Sequence, residues 1–132
     1  MTKGKFDISE LGLSNAEDLE LFTRIQEASK NSDFENLIIL LNDLIERNTD
    51  CGMLIAFLAN AYWDAGDFEK ANENFTQAIH LDPTSEKISV GFFHLLLETN
   101  REDEAFGEIK RFVRDGGKML RYKEILADIN QE

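Results

Sequence analysis

Between Ile55 and Pro83 the chain lays out two stripes of helical period separated by a turn, and the same layout returns at an offset of 34 residues on either side. Ile55, Leu58, Ala59 and Tyr62 fall at i, i+3, i+4 and i+7, one face of an amphipathic helix. Phe68, Ala71, Phe75 and Ala78 continue at helical spacing after the turn. Gly66 stands between the two stripes, where a helix end calls for a positive φ, and Asp67 follows as an N-cap. Ala71 and Ala78 are small enough to let two helices approach closely. Such a unit cannot bury both stripes alone, so its repetition dictates a stack of helix pairs.

The run Ile55-x-x-Leu58-Ala59-x-x-Tyr62, Gly66-Asp67-Phe68, Ala71-x-x-x-Phe75, Ala78 and Pro83 resembles the tetratricopeptide repeat, with Ile55 for that family's tryptophan and Ala59 for its glycine. Shifted upstream, the positions become Leu21, Arg24, Ile25 and Ala28, then Ser32, Asp33-Phe34, Leu37, Leu41 and Leu44. Downstream they become Ser89, Phe92, Phe93 and Leu96, then Asn100, Arg101-Glu102, Ala105, Ile109 and Phe112. The resemblance covers residues 15–117. It implies an all-α fold, a right-handed superhelical stack of three antiparallel helix pairs (an α-solenoid). Serine takes a positive φ less readily than asparagine, so the first turn, at Ser32, is expected to be distorted. Asp33 is the N-cap that follows it. Asp82-Pro83 is expected to end one hairpin and open the next, with the proline in the first helical turn.

Other signals frame the array. Ser14-Asn15-Ala16-Glu17 is a capping-box pattern that starts the first helix near residue 15. Gly116-Gly117 breaks the sixth helix, and Met119, Tyr122, Ile125, Leu126 and Ile129 form one more apolar stripe that would cover the open end of the stack. The expected organisation is a flexible N-terminal segment over 1–13, three repeats over 14–117 and a C-terminal capping helix over 118–132. Phe6, Ile8, Leu11 and Leu13 give the first segment apolar side chains that can dock.

Composition narrows the class. Apolar residues make up 42% of 132 residues, enough for a packed core without metal or disulfide. Cys51 is the only cysteine, which excludes an internal disulfide and points to a reducing, cytoplasmic home. The longest purely apolar run, Leu37 to Leu41, is far too short to span a membrane, and no apolar run follows Lys3 and Lys5 as a signal peptide would require. A net charge of −12 argues against nucleic acid, whose phosphates would be repelled. Residues 1–109 carry 22 acidic and 8 basic side chains, whereas residues 110–132 carry 4 and 6. That basic end reads as cations near helix C-termini and a solvated face.

No phosphate loop, zinc-ligand spacing or nucleophile motif is present, so the chain is read as a non-enzyme with no cofactor and no metal. His94 and Glu98 sit at i, i+4, but a zinc site needs three or four converging ligands. Cys51 lies at a helix start, where a thiolate is favoured, yet no base or second cysteine is near it in sequence. The face opposite the middle core stripe carries Met53, Phe57, Asn60 and Asp64, with Trp63 at its flank. Leu19, Thr23, Gln26 and Lys30 match it upstream, and Lys87, Gly91, His94 and Glu98 downstream. The resemblance implies that these first-helix faces line a concave groove for a partner peptide and that Asn60 bonds the peptide backbone. The partner-binding set on this reading is Phe22, Gln26, Lys30, Met53, Phe57, Asn60, Trp63, Asp64, Lys87, His94 and Glu98. Its only cations being Lys30 and Lys87, a clamp for a terminal carboxylate is not expected. Packing between repeats is the plainer role for Met53, Phe57 and Trp63; an apolar anchor site is the functional one.

The leading functional expectation is a protein-interaction module, adaptor or chaperone-like, that takes a protein or peptide partner and acts as a monomer or weak homo-oligomer, without nucleic acid or membrane. The alternative is a small acidic inhibitor, of the antitoxin or immunity type, that neutralises a basic enzyme by charge. A purely structural, self-associating repeat is the third.

Overall fold

A left-handed residue ends each hairpin's first helix at the 34-residue interval: Ser32 at φ 55°, Gly66 at φ 86° and Asn100 at φ 61°. The computed structural model describes residue 13 and residues 15–130. It holds seven α-helices and no strand among the described residues: α1 Ala16–Lys30, α2 Phe34–Arg47, α3 Gly52–Asp64, α4 Phe68–Leu81, α5 Glu86–Glu98, α6 Glu102–Arg114 and α7 Arg121–Asn130. The expectations for residues 1–12 and Ser14 lie outside the described residues. Leu13 is half-buried against the core of α1 and α2.

The three turns are built alike. The amide following each left-handed residue bonds a carbonyl five back: Asp33 to Ala28 at 2.9 Å, Asp67 to Tyr62 at 2.9 Å and Arg101 to Leu96 at 2.8 Å. The left-handed residues bond Ser29, Trp63 and Leu97 at 3.1, 3.0 and 3.1 Å, completing a Schellman pair each time. The first turn is therefore undistorted, contrary to the expectation for Ser32: its geometry is imposed by two hydrogen bonds and the next N-cap, and serine absorbs the backbone cost. Asp33 and Asp67 cap α2 and α4 by accepting from Asn36 and Lys70 amides.

The turns between hairpins repeat as well. Asn48 at φ −139°, ψ 67° and Asp82 at φ −140°, ψ 75° are 34 residues apart and share one extended conformation. Pro83 lies in the second of these turns, ahead of the N-cap Ser85, and not in the helix as expected. The last junction departs from the pattern. Gly116 takes φ 100°, and a Cβ on Gly117 would lie 2.3 Å from the Phe112 ring. Only glycine lets the chain cross that ring to start α7.

Helices α1/α2, α3/α4 and α5/α6 pair as hairpins, α2 packs on α3 and α4 on α5, and the first helices α3, α5 and α7 lie side by side. Three buried clusters run along the stack: one around Phe22, Ile25, Leu41 and Leu44, one around Ile55, Ala59, Ala71 and Phe75, and one around Phe93, Leu96, Phe112 and Tyr122. Three expected core positions differ. Arg24 is exposed because Phe22, not Leu21, leads the buried stripe of α1. Phe68 is 43% exposed, being the first residue of α4 and beyond the reach of the facing helix. Ile129 is exposed near the end of α7.

Helix α7 is held by more than its stripe. Tyr122 is fully buried with its ring edge-on to Phe93, centroids 5.5 Å apart, and tilted on Phe112 at 5.6 Å. Its hydroxyl pairs with the Ser89 hydroxyl at 2.7 Å, and Ser89 donates to Glu108. Arg111 grips the same carboxylate through two bonds of 2.8 and 2.7 Å and donates to the Pro83 carbonyl. Glu86 accepts from the Leu120 and Tyr122 amides at 2.8 and 3.0 Å, a carboxylate set at the N-terminus of α7. Among the described residues no buried side-chain polar atom lacks a partner.

Candidate functional site

Helices α3, α5 and α7 enclose a cavity of about 410 Å³. Its walls follow the repeat register. Met53, Lys87 and Arg121 stand at one level of the three helices, Ala56, Val90 and Glu124 at the next, and Phe57, Gly91 and Ile125 at the third. Asn60 and His94 close one side. Equivalent positions of consecutive first helices face the same way because the units stack by a nearly constant rotation.

Gly91 makes the depth. Its counterparts are Phe57 and Ile125, so a large side chain is missing from the middle helix. The space a Cβ would take there ends 3.0 Å from the Phe75 ring, which therefore forms the floor. Phe75 stacks on Phe92 at 5.9 Å and meets Trp63 edge-on at 6.4 Å. The floor is thus aromatic and fixed by packing. The rim is polar and ordered along the helices: Lys87 and Arg121 at the N-terminal ends, Asn60 and His94 further on. Burial lowers the His94 pKa below its ordinary value, which favours the neutral imidazole. Glu98 is one turn on, and no group of three metal-binding side chains converges among the described residues.

Of the residues expected to bind a partner, the fold brings Met53, Phe57, Asn60, Trp63, Lys87 and His94 into this one cavity. Phe57 and Trp63 are each 6% exposed and belong to hydrophobic cores as well, so packing and groove lining coincide in them. Asp64 and Glu98 are exposed last residues of α3 and α5 that do not line the cavity. Gln26 and Lys30 are exposed on α1, outside the lining. Phe22 is 3% exposed and sits in the first core, outside the cavity lining, at the α1 position held by Ala56 in α3.

Sequence reasoning missed the α7 wall, Arg121, Glu124 and Ile125. The signal was present, since a further shift of 34 from Lys87, Val90 and Gly91 lands on these residues. It was hidden because the apolar stripe of α7 reads as a cap. Phe75 and Ile88 were missed for another reason. They belong to core stripes, and only the absent side chain of Gly91 lets the floor show.

Known structures share this fold. The first TPR of Spaghetti (RPAP3), bound to HSP90 peptide SRMEEVD, aligns with a TM-score of 0.71 at 16% identity over 90% of this chain and 97% of that one. The second TPR of the same protein, bound to the same peptide, aligns at 0.64 and 21% identity over 74% and 91%. The type III secretion translocator chaperone SycD of Yersinia enterocolitica aligns at 0.71 and 12% identity over 89% of each chain. No curated protein sequence matches the chain. A tetratricopeptide repeat family model matches residues 62–129, from the end of α3 through α7. With its 34-residue turns, its paired helices and that match over half its length, the chain belongs to the tetratricopeptide repeat family.

Proposed function

We propose that the chain is a non-enzymatic adaptor or chaperone-like module that receives a polypeptide segment of a partner in the groove of α3, α5 and α7. One observation carries this reading. Three consecutive first helices present equivalent positions around a single cavity with an aromatic floor and a polar rim, the anatomy of a site for a peptide with one large apolar anchor. The peptide-bound state of two structural neighbours supports it. Asn60 and His94 offer side-chain bonds to a peptide backbone, and Lys87 and Arg121 favour acidic flanks over basic ones.

Phe57 is too deeply packed to serve as a clean probe, since truncating a core phenylalanine costs about 3–5 kcal/mol of stability. Met53, Asn60 and Ile125 are half-buried on the wall and are better choices. A partner captured from the native host should lose at least tenfold in affinity to Met53→Glu and Ile125→Glu, and several-fold to Asn60→Ala. Reversing Glu102, Asp103 and Glu104 to lysine, on the exposed first turn of α6, should leave it unchanged. The opposite result, indifference to the groove and strong dependence on those acids and on salt, would replace this reading with neutralisation of a basic protein.

A further inference from the structure

We infer that two copies of this chain pair through the outer face of α6, antiparallel and about a twofold axis near Phe106, into a weak dimer. This face is separate from the groove, since no residue of α6 lines that cavity.

The repeat register shows that the face is open. Val113 follows Ile45 and Ile79 at intervals of 34 residues. Ile45 is half-buried against the first and second cores, and Ile79 is 9% exposed. Phe106 follows Ile38 and Asn72 in the same way. Ile38 packs on the first core, and Asn72 accepts from Arg101 of the next unit at 2.9 Å. The first two units therefore cover these positions. The third does not: Phe106 is 39% exposed and Val113 47%. The cause is the path of α7. Gly116 and Gly117 carry it across the Phe112 ring onto α5, whereas α3 lies on α2 and α5 on α4.

The occupant follows from charge and spacing. Helix α6 opens on Glu102, Asp103 and Glu104 and ends on Arg111 and Arg114, so two such helices attract when antiparallel and repel at both ends when parallel. Glu102 and Lys110, both exposed, lie four residues before and after Phe106 on its own side of the helix. A twofold axis at Phe106 sets each copy's Glu102 beside the other's Lys110 and brings the two Phe106 rings together. The ring is already held edge-on to Phe93, centroids 5.8 Å apart, so little side-chain freedom is lost on pairing. A net charge of −12 opposes the approach of two copies, but over residues 110–132 six basic side chains stand against four acidic. Repulsion is therefore least at this end. A dimer formed here carries two grooves.

Analytical ultracentrifugation of the full chain tests this pairing. The apparent mass should climb from 15.1 kDa toward twice that value as concentration enters the high micromolar range, the strength of a small interface. Phe106→Glu should stay monomeric throughout. Should it lose helix content by circular dichroism, Phe106→Asn, which takes the residue α4 has at this position, decides with the same readout. Glu102→Lys and Lys110→Glu each set like charges opposite one another and should weaken pairing by at least about tenfold. Mixed in equal amounts, these two variants should pair with each other as tightly as the unaltered chain pairs with itself, because opposite charges then meet at both contacts. A loss of fold stability cannot produce that recovery. A monomer at every concentration, pairing that survives the Phe106 changes, or no recovery in the mixture would overturn the proposal. The first of these outcomes would leave the α6 face to a helix of another protein.

Discussion

The two ends of the helix array keep one 34-residue register and put it to different uses. At the N-terminal end, Phe22 takes the position that Ala56, Val90 and Glu124 hold in later units, and its ring closes the first core. At the C-terminal end, Glu124 and Ile125 leave that space open and become a wall. Each end also holds a carboxylate that is 6% exposed. Asp18 accepts from Arg47 at 2.5 Å and from Asn48 at 3.2 Å, which pins α1 to α2 within one hairpin, and the Arg47 bond holds its pKa below the ordinary carboxylate value. Glu108 accepts from Arg111 and Ser89, and Ser89 pairs with Tyr122, so the C-terminal network joins three helices. The register sets where side chains stand, and their sizes decide whether the result is a core or a cavity.

Helix α7 differs from the earlier first helices on one face. The first-helix face that carries Ile55, Leu58 and Ala59 toward a partner helix carries Lys123, Leu126 and Ala127 in α7. Lys123 and Ala127 are exposed. Removal of α7 gives the largest expected effect. Deleting residues 118–132 strips the fully buried Tyr122 and the partly buried Met119, Ile125 and Leu126 from the third core. A buried side chain of this kind is worth about 1.5–3 kcal/mol, against a typical domain stability of about 5–15 kcal/mol. The truncated chain should aggregate, or melt more than roughly 10 °C lower by circular dichroism. Melting at an unchanged temperature would make α7 a groove wall without a structural role, and the contrast between the ends would shrink to side-chain size alone.

A smaller effect tests the C-terminal network itself. Burial pushes the Tyr122 phenol well above its ordinary pKa of 10.0, with the Ser89 bond opposing. The neutral phenol is thus favoured in the folded chain, and its stabilisation is complete below pH 10. Above pH 10 the unfolded chain ionises at this position and the folded chain does not, so stability falls by about 1.4 kcal/mol per pH unit from this group. Tyr122→Phe should cost about 1 kcal/mol at neutral pH through the lost hydrogen bond and should flatten the decline above pH 10. Chemical denaturation at pH 7, 10 and 11 reads both effects. Parallel declines in the two proteins would remove Tyr122 as their source.

The sequence carried the helices, the turns and the central wall, because periodicity and turn chemistry are local. Met53, Asn60, Lys87 and His94 were legible as one face since each is defined by its own helix. Phe22 was not, because whether an aromatic on a helix flank turns in or out depends on what the neighbouring unit leaves for it. Gly91 was visible as a position but not as a cause: depth is a property of the missing side chain and of the Phe75 ring behind it. The polar tie of Ser89, Glu108 and Tyr122 spans 33 residues and reads in sequence as three unrelated polar positions.

The smallest expected effects compare the turns. Ser32, Gly66 and Asn100 adopt one conformation with one set of hydrogen bonds, so the residue type alone sets the backbone cost. A left-handed L-residue costs about 1–2 kcal/mol. At Gly66 a Cβ would meet nothing within 4 Å, so Gly66→Ala should lose about that amount through the backbone and nothing through crowding. Ser32→Gly runs the other way, but glycine adds roughly 0.5–1 kcal/mol of unfolded-state entropy, leaving a net gain of less than about 1 kcal/mol. Asn100→Gly should change stability least, since asparagine already tolerates this region. Denaturant midpoints for the three variants should therefore order as Ser32→Gly above the unaltered chain, Asn100→Gly near it and Gly66→Ala below. A loss for Ser32→Gly would mean that the serine side chain contributes to the first turn. The N-terminal hairpin would then be held by contacts of its own, and not by the turn geometry that the other two share.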